Sequence, residues 1–87
     1  MITEKITVKN EQGLHMRPAG VLAKAAAKYP CDVKLIVGEK EINAKSIMMI
    51  IGACIKCGMD VEIVCTGEQE QEALGEIKAL FESGFGE

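Results

Sequence analysis

The stretch Asn10-Glu11-Gln12-Gly13-Leu14-His15-Met16-Arg17-Pro18-Ala19-Gly20-Val21-Leu22-Ala23-Lys24-Ala25-Ala26-Ala27-Lys28 changes the periodicity of the chain, and that change decides the fold. Asn10-Glu11-Gln12-Gly13 is a turn by composition. Beyond it, Ala19, Leu22, Ala23 and Ala26 recur at helical spacing in a run rich in alanine, the best helix former, which carries a helix to Lys28. Pro18 falls in the first turn, where its missing N–H leaves no bond unmade, and Pro30 closes the region. Upstream the period is two. Ile2, Ile6 and Val8 share one face and Thr3, Lys5 and Thr7 the other, which predicts a strand from about Ile2 to Val8.

Working outward, Cys31, Val33, Leu35 and Val37 alternate with Asp32, Lys34 and Ile36 in a second strand. Gly38-Glu39 turns it into a short third strand over about Lys40 to Asn43. A short apolar helix follows from Ser46 to about Ala53, with Ser46 as its natural N-cap and Gly58 as the stop. Val61, Ile63 and Cys65 alternate with Glu62, Val64 and Thr66 in a fourth strand. From about Glu68 to Ser83, Ala73, Leu74, Ile77, Leu80 and Phe81 form one apolar stripe, with acidic residues in the first turn and Gly84 past the end. Phe81 belongs to the core by this stripe, and Phe85 is expected to pin the tail. The order is β-α-β-β-α-β-α. Strands with one apolar face need a cover, and three amphipathic helices supply it. The expected fold is α+β: a two-layer open-faced sandwich whose four-stranded antiparallel sheet is covered on one face by helices.

At 87 residues the chain is expected to form a single domain over its whole length, 1–87. Area scaling gives about 5,000 Å² folded against about 13,600 Å² unfolded, so roughly 63% is buried, enough for one two-layer core but not for a deep catalytic cavity with a cofactor domain. No cofactor is expected. Aromatic residues make up only 3%, so the core is aliphatic and there are too few rings for a base-stacking surface. The net charge of −3 also argues against nucleic acid, whose phosphates need a basic face. No secretory pattern opens the sequence, which begins Met1-Ile2-Thr3-Glu4-Lys5, and no apolar run approaches a membrane span. The reading is cytoplasmic, with Cys31, Cys54, Cys57 and Cys65 reduced.

His15 is the only histidine. It stands on a polar turn immediately before a helix, two residues from Arg17. A neutral imidazole is a nucleophile at physiological pH. The helix N-terminus offers amide donors and a positive dipole end, and Arg17 adds a fixed cation, a setting that holds a phosphate or a phosphohistidine. The same residues also read as a surface histidine that caps a helix, with an incidental arginine beside it.

The segment Gly13-Leu14-His15-Met16-Arg17-Pro18-Ala19 resembles the active-site motif of the HPr family, the histidine-containing phosphocarriers of the phosphoenolpyruvate-dependent sugar phosphotransferase system. Lys45-Ser46-Ile47-Met48 resembles the family's regulatory serine segment. Length, element order and the separation of the two motifs agree with the family over the whole chain. The resemblance implies a phosphoryl relay and not an enzyme with its own small-molecule substrate. His15 would accept a phosphoryl group on Nδ1 from phosphorylated enzyme I and pass it to the IIA domain of a sugar permease. Arg17 would steady the phosphate, and the backbone amides of Met16 and Arg17 would cap it. Ser46 would be the regulatory site, phosphorylated by HPr kinase/phosphorylase, with a catabolite-control transcription regulator as a further partner. Gly20, Ile47, Met48 and Ile51 would form the docking patch, in a monomer without membrane insertion. A regulatory paralogue that signals without sugar transport is the alternative within the family, although its known examples lack the histidine.

Several positions depart from the family pattern. Met16 replaces the usual Ala or Thr, Gly20 a common Thr or Ala, and Met49 a usual Gly. The loop after the short helix reads Cys54-Ile55-Lys56-Cys57-Gly58. These changes leave the His15–Arg17 pair untouched and bear on partner choice. Cys54 and Cys57 supply two thiols where a structural zinc site needs four ligands, so no metal is expected. A redox pair, or a metal site completed by His15, is the remaining alternative to small apolar filler.

Overall fold

A computed structural model describes residues 1–86. Its elements run β1 (Ile2–Thr7), α1 (Met16–Ala27), β2 (Asp32–Val37), β3 (Lys40–Asn43), α2 (Ile47–Gly52), β4 (Asp60–Thr66) and α3 (Glu70–Glu82), with a closing 3-10 turn at Gly84–Gly86. The strands form one sheet in the order β1-β4-β2-β3, and every neighbouring pair is antiparallel. β4, the last strand in sequence, therefore sits between β1 and β2. With the three helices, this is the open-faced α+β sandwich that the patterning predicts.

The alternation in each strand sets its buried face. Val33, Leu35 and Val37 of β2 and Val61, Ile63 and Cys65 of β4 point into the core, while Asp32 and Lys34 face out. Leu22, Ala23 and Ala26 of α1 and Ala73, Ile77 and Phe81 of α3 meet them. The many alanines let α1 lie close to its neighbouring helices α2 and α3, while α3 packs most closely on β1 and β4. Phe81 and Phe85 pack edge to face with ring centroids 4.9 Å apart, so Phe85 does pin the tail.

Two boundaries and the width of one apolar stripe differ from the sequence reading. β1 ends at Thr7, but Val8 continues the pairing irregularly: its amide donates to the Met59 carbonyl at 3.0 Å and its carbonyl accepts from the Gly58 amide at 2.9 Å. α3 begins at Glu70 because Gln69, at φ 62°, is left-handed and starts the helix from a tight turn. Its apolar stripe is also narrower than the pattern suggests, with Leu74 and Leu80 only partly buried at the margin of the core. No helix among the described residues is long and apolar enough to cross a membrane.

Candidate functional site

The turn from Asn10 to Leu14 is fixed from below by the loop that follows α2. The Gly13 amide donates to the Asn10 carbonyl at 3.0 Å, and the Leu14 amide donates to the Ile55 carbonyl at 2.9 Å. Gly13 has φ +69°, and a Cβ there would stand 2.2 Å from the Ile55 oxygen. Only glycine allows this approach. Leu14 is buried, so the next residue is delivered to the surface at a defined place.

That residue is His15. It occupies the N-cap position of α1 in an extended conformation, φ −79° and ψ −165°, and its side chain makes no capping hydrogen bond. The capping role considered for the imidazole is therefore not the one it plays. Its carbonyl accepts the first helical bond, from the Ala19 amide at 3.0 Å. Pro18 has no N–H, so the amide donors of the first turn ahead of Ala19 are those of Met16 and Arg17. His15 is partly buried and Arg17 exposed. Both line an open concavity of about 850 Å³ together with Lys9, Asn10, Ser83 and Gly84. A basic side chain, a helix N-terminus and an imidazole thus share one solvent-open surface. Glu11 and Glu82 line it too, so the anion-favouring end of the concavity is the one at Arg17 and the α1 N-terminus, open to solvent.

Ser46 lies apart from that concavity, at the N-cap of α2, where its Oγ accepts from the Met49 amide at 3.3 Å. The capping role read from the sequence is observed. α2 packs against α1, and its outer side is apolar and exposed. Ile47 is 41% exposed and Met48 79%, and Met49 adds 43%, while Met16 on α1 is 70% exposed. Ile51 is half-buried against the core, and Ile50 is the fully buried residue of the helix. Gly20 on α1 has open space where a Cβ would project.

Cys54 and Cys57 are both exposed, and Cys31 and Cys65 are buried, all as free thiols. The Cys57 thiol points at the Lys9 carbonyl, 3.8 Å away. Among the described residues no three His, Cys, Asp or Glu side chains gather as a metal site. Burial pushes the Cys65 thiol up to about 11, with Cys31 and Glu70 adding to the shift.

Two residues of this region escape a sequence reading. Asn10 looks like a turn residue, yet it is buried, with Nδ2 donating to the Gly84 carbonyl at 2.7 Å. Nothing in its local pattern signals a partner so distant in the chain. Met49 shares the exposed side of α2. The run Ile47-Met48-Met49-Ile50-Ile51 is uniformly apolar, so periodicity cannot tell its outer positions from its inner ones.

Comparison with known proteins fits this geometry. Residues 2–83 match the family model described as the PTS HPr component phosphorylation site. The chain is 34% identical over 87 residues to phosphocarrier protein HPr of Treponema pallidum, covering 100% of this chain and 99% of that protein. It is 37% identical over 79 residues to the HPr-like protein Crh of Bacillus subtilis, covering 91% of this chain and 93% of that one. The crystal structure of HPr-C-His from Thermoanaerobacter tengcongensis superposes with a TM-score of 0.96 at 37% identity, covering 100% and 98% of the two chains. The chain belongs to the HPr family of phosphocarrier proteins of the phosphotransferase system.

Proposed function

We propose that the chain accepts a phosphoryl group on Nδ1 of His15 from phosphorylated enzyme I and delivers it to the IIA domain of a sugar permease. The observation that carries this reading is the position of His15, at the N-terminus of α1 beside Arg17 on an open concavity, with its side chain not engaged in capping. As the N–P bond forms at His15, the bond from phosphorus to the donor breaks, and the reverse exchange hands the group on. The protein supplies positioning and charge neutralisation, which are the main requirements of phosphoryl transfer. Arg17 offers a planar fork to two phosphate oxygens, and the Met16 and Arg17 amides cap a third. In this reading the protein is a cytoplasmic, monomeric carrier and does not turn over a substrate of its own.

Docking falls to Gly20, Ile47, Met48 and Ile51, widened by Met16 and Met49. Exposed methionines suit a face that meets several partners, because their side chains repack readily. Ser46 is the regulatory position, open to HPr kinase/phosphorylase, and the Ser46-phosphorylated form would meet a catabolite-control regulator. A phosphate there would add negative charge beside the docking residues and weaken the encounter with enzyme I.

The similarity to Crh favours one second reading, a regulatory paralogue that does not feed sugar transport. A chase experiment separates the two. After loading from enzyme I and phosphoenolpyruvate, the phosphoryl group on His15 should disappear within seconds to minutes of adding a IIA domain. Retention of the group in the presence of several IIA domains would favour the paralogue.

A further inference from the structure

We propose that Asn10 is a positioning residue of the acceptor site, latching the turn that carries His15 to the C-terminal segment 83–86. The inference rests on the reading of His15 as phosphoryl acceptor. Among the described residues Asn10 is the only buried polar side chain, at 5% exposure. A buried amide is kept where its hydrogen bonds organise something. The Nδ2 group donates to the Gly84 carbonyl at 2.7 Å, joining positions 74 residues apart. The backbone of the same residue accepts the Gly13 amide at 3.0 Å and so shapes the turn that leads to Leu14 and His15.

The far side of the latch is equally well fixed. Phe85 is buried beneath Gly84, edge to face with Phe81. It holds φ +56°, a left-handed conformation that a non-glycine residue keeps only where its surroundings fix it. Ser83 and Gly84 line the concavity that contains His15 and Arg17. One wall of the acceptor site is therefore the tail, and Asn10 sets its distance from the histidine turn. Breaking the latch lets the wall and the turn move relative to each other. Asn10 offers almost no surface to a docking protein, so its loss should affect geometry after docking and leave affinity alone.

The test compares full-length wild type, Asn10→Ala, Phe85→Ala and the double variant as acceptors from phosphorylated enzyme I, under conditions where each gives a folded NMR spectrum. Each single variant should lower kcat roughly tenfold at unchanged KM, within the hundredfold that a misplacement of about 1 Å can cause. The double variant should be no slower than the slower single, because both substitutions open one latch. The His15 ring signals should shift in all three, and Phe85→Leu, which keeps apolar bulk, should recover most of the rate. Wild-type kcat in the variants with only a lowered melting temperature would overturn the proposal, as would a defect confined to KM. If wild type itself gains no phosphoryl group on His15, the acceptor reading fails and the latch proposal falls with it. Wild-type kcat in every variant, with wild type itself phosphorylated on His15, removes only the latch and leaves the acceptor reading standing.

Discussion

An alanine at position 13 would bring its Cβ within 2.2 Å of the Ile55 carbonyl oxygen and would have to hold φ +69°. The left-handed conformation alone costs about 1–3 kcal/mol for a non-glycine residue, and the contact is with backbone, which cannot swing aside. Gly13→Ala should therefore lower stability by at least about 2 kcal/mol in urea denaturation, because the 54–59 loop must retreat from the histidine turn. Its phosphoryl acceptance should fall as well, since the Leu14–Ile55 hydrogen bond that delivers His15 would be lost. A wild-type urea midpoint for Gly13→Ala would contradict this account of the turn. The glycine was legible in the sequence as part of a motif. The clash that makes it necessary was not, because Ile55 reaches it only through the folded loop.

Among the elements, α2 carries the most separable prediction. The Ser46 hydroxyl accepts the Met49 amide, so Ser46→Ala should cost about 1 kcal/mol, while Ser46→Asp, also a good N-cap, should change stability by less than that. Binding should follow the other order. In an NMR titration against enzyme I, Ser46→Asp should bind more weakly than wild type and Ser46→Ala should not, because a charge beside Ile47 and Met48 must be desolvated on docking. Equal affinities for all three would leave Ser46 as a cap alone. The elements themselves were largely readable. The alternation of Val33, Leu35 and Val37, the alanine-rich spacing of α1 and the serine cap of α2 are local signals, and local signals survive folding. What was not readable depends on distant chain. Val8 pairs irregularly with the 58–59 loop, Gln69 starts α3 from a left-handed turn, and Asn10 reaches Gly84 across the molecule. His15 and Arg17 were legible because they lie within four residues of the motif glycine, Gly13. Their shared concavity depends on the tail, which no pattern around them announces.

At the scale of the whole molecule, the core is an aliphatic layer between one sheet and three helices, closed at one end by Phe81 and Phe85. Cys65 sits within it, and burial raises its thiol from 9.0 to about 11. The folded state therefore keeps the proton longer than the unfolded chain does. Between these two values the unfolded chain ionises first, so the native state loses stability as pH rises through that window. Well below pH 9, where both states keep the proton, Cys65 should have no pH effect. The stability advantage of wild type over Cys65→Ala should accordingly shrink on going from pH 8.5 to pH 11, measured by urea denaturation at each pH, and parallel curves would refute the thiol's contribution. In the proposed function the sheet-and-helix frame holds the His15 imidazole at the N-terminus of α1 to accept a phosphoryl group, and that is the claim to test most directly. Wild type and His15→Ala would be incubated with enzyme I and phosphoenolpyruvate and their intact masses recorded before and after acid treatment. The account predicts one acid-labile phosphate on wild type and none on His15→Ala, whose folded NMR spectrum should be retained because His15 lies outside the core. An acid-labile phosphate on His15→Ala, or none on wild type, would contradict it.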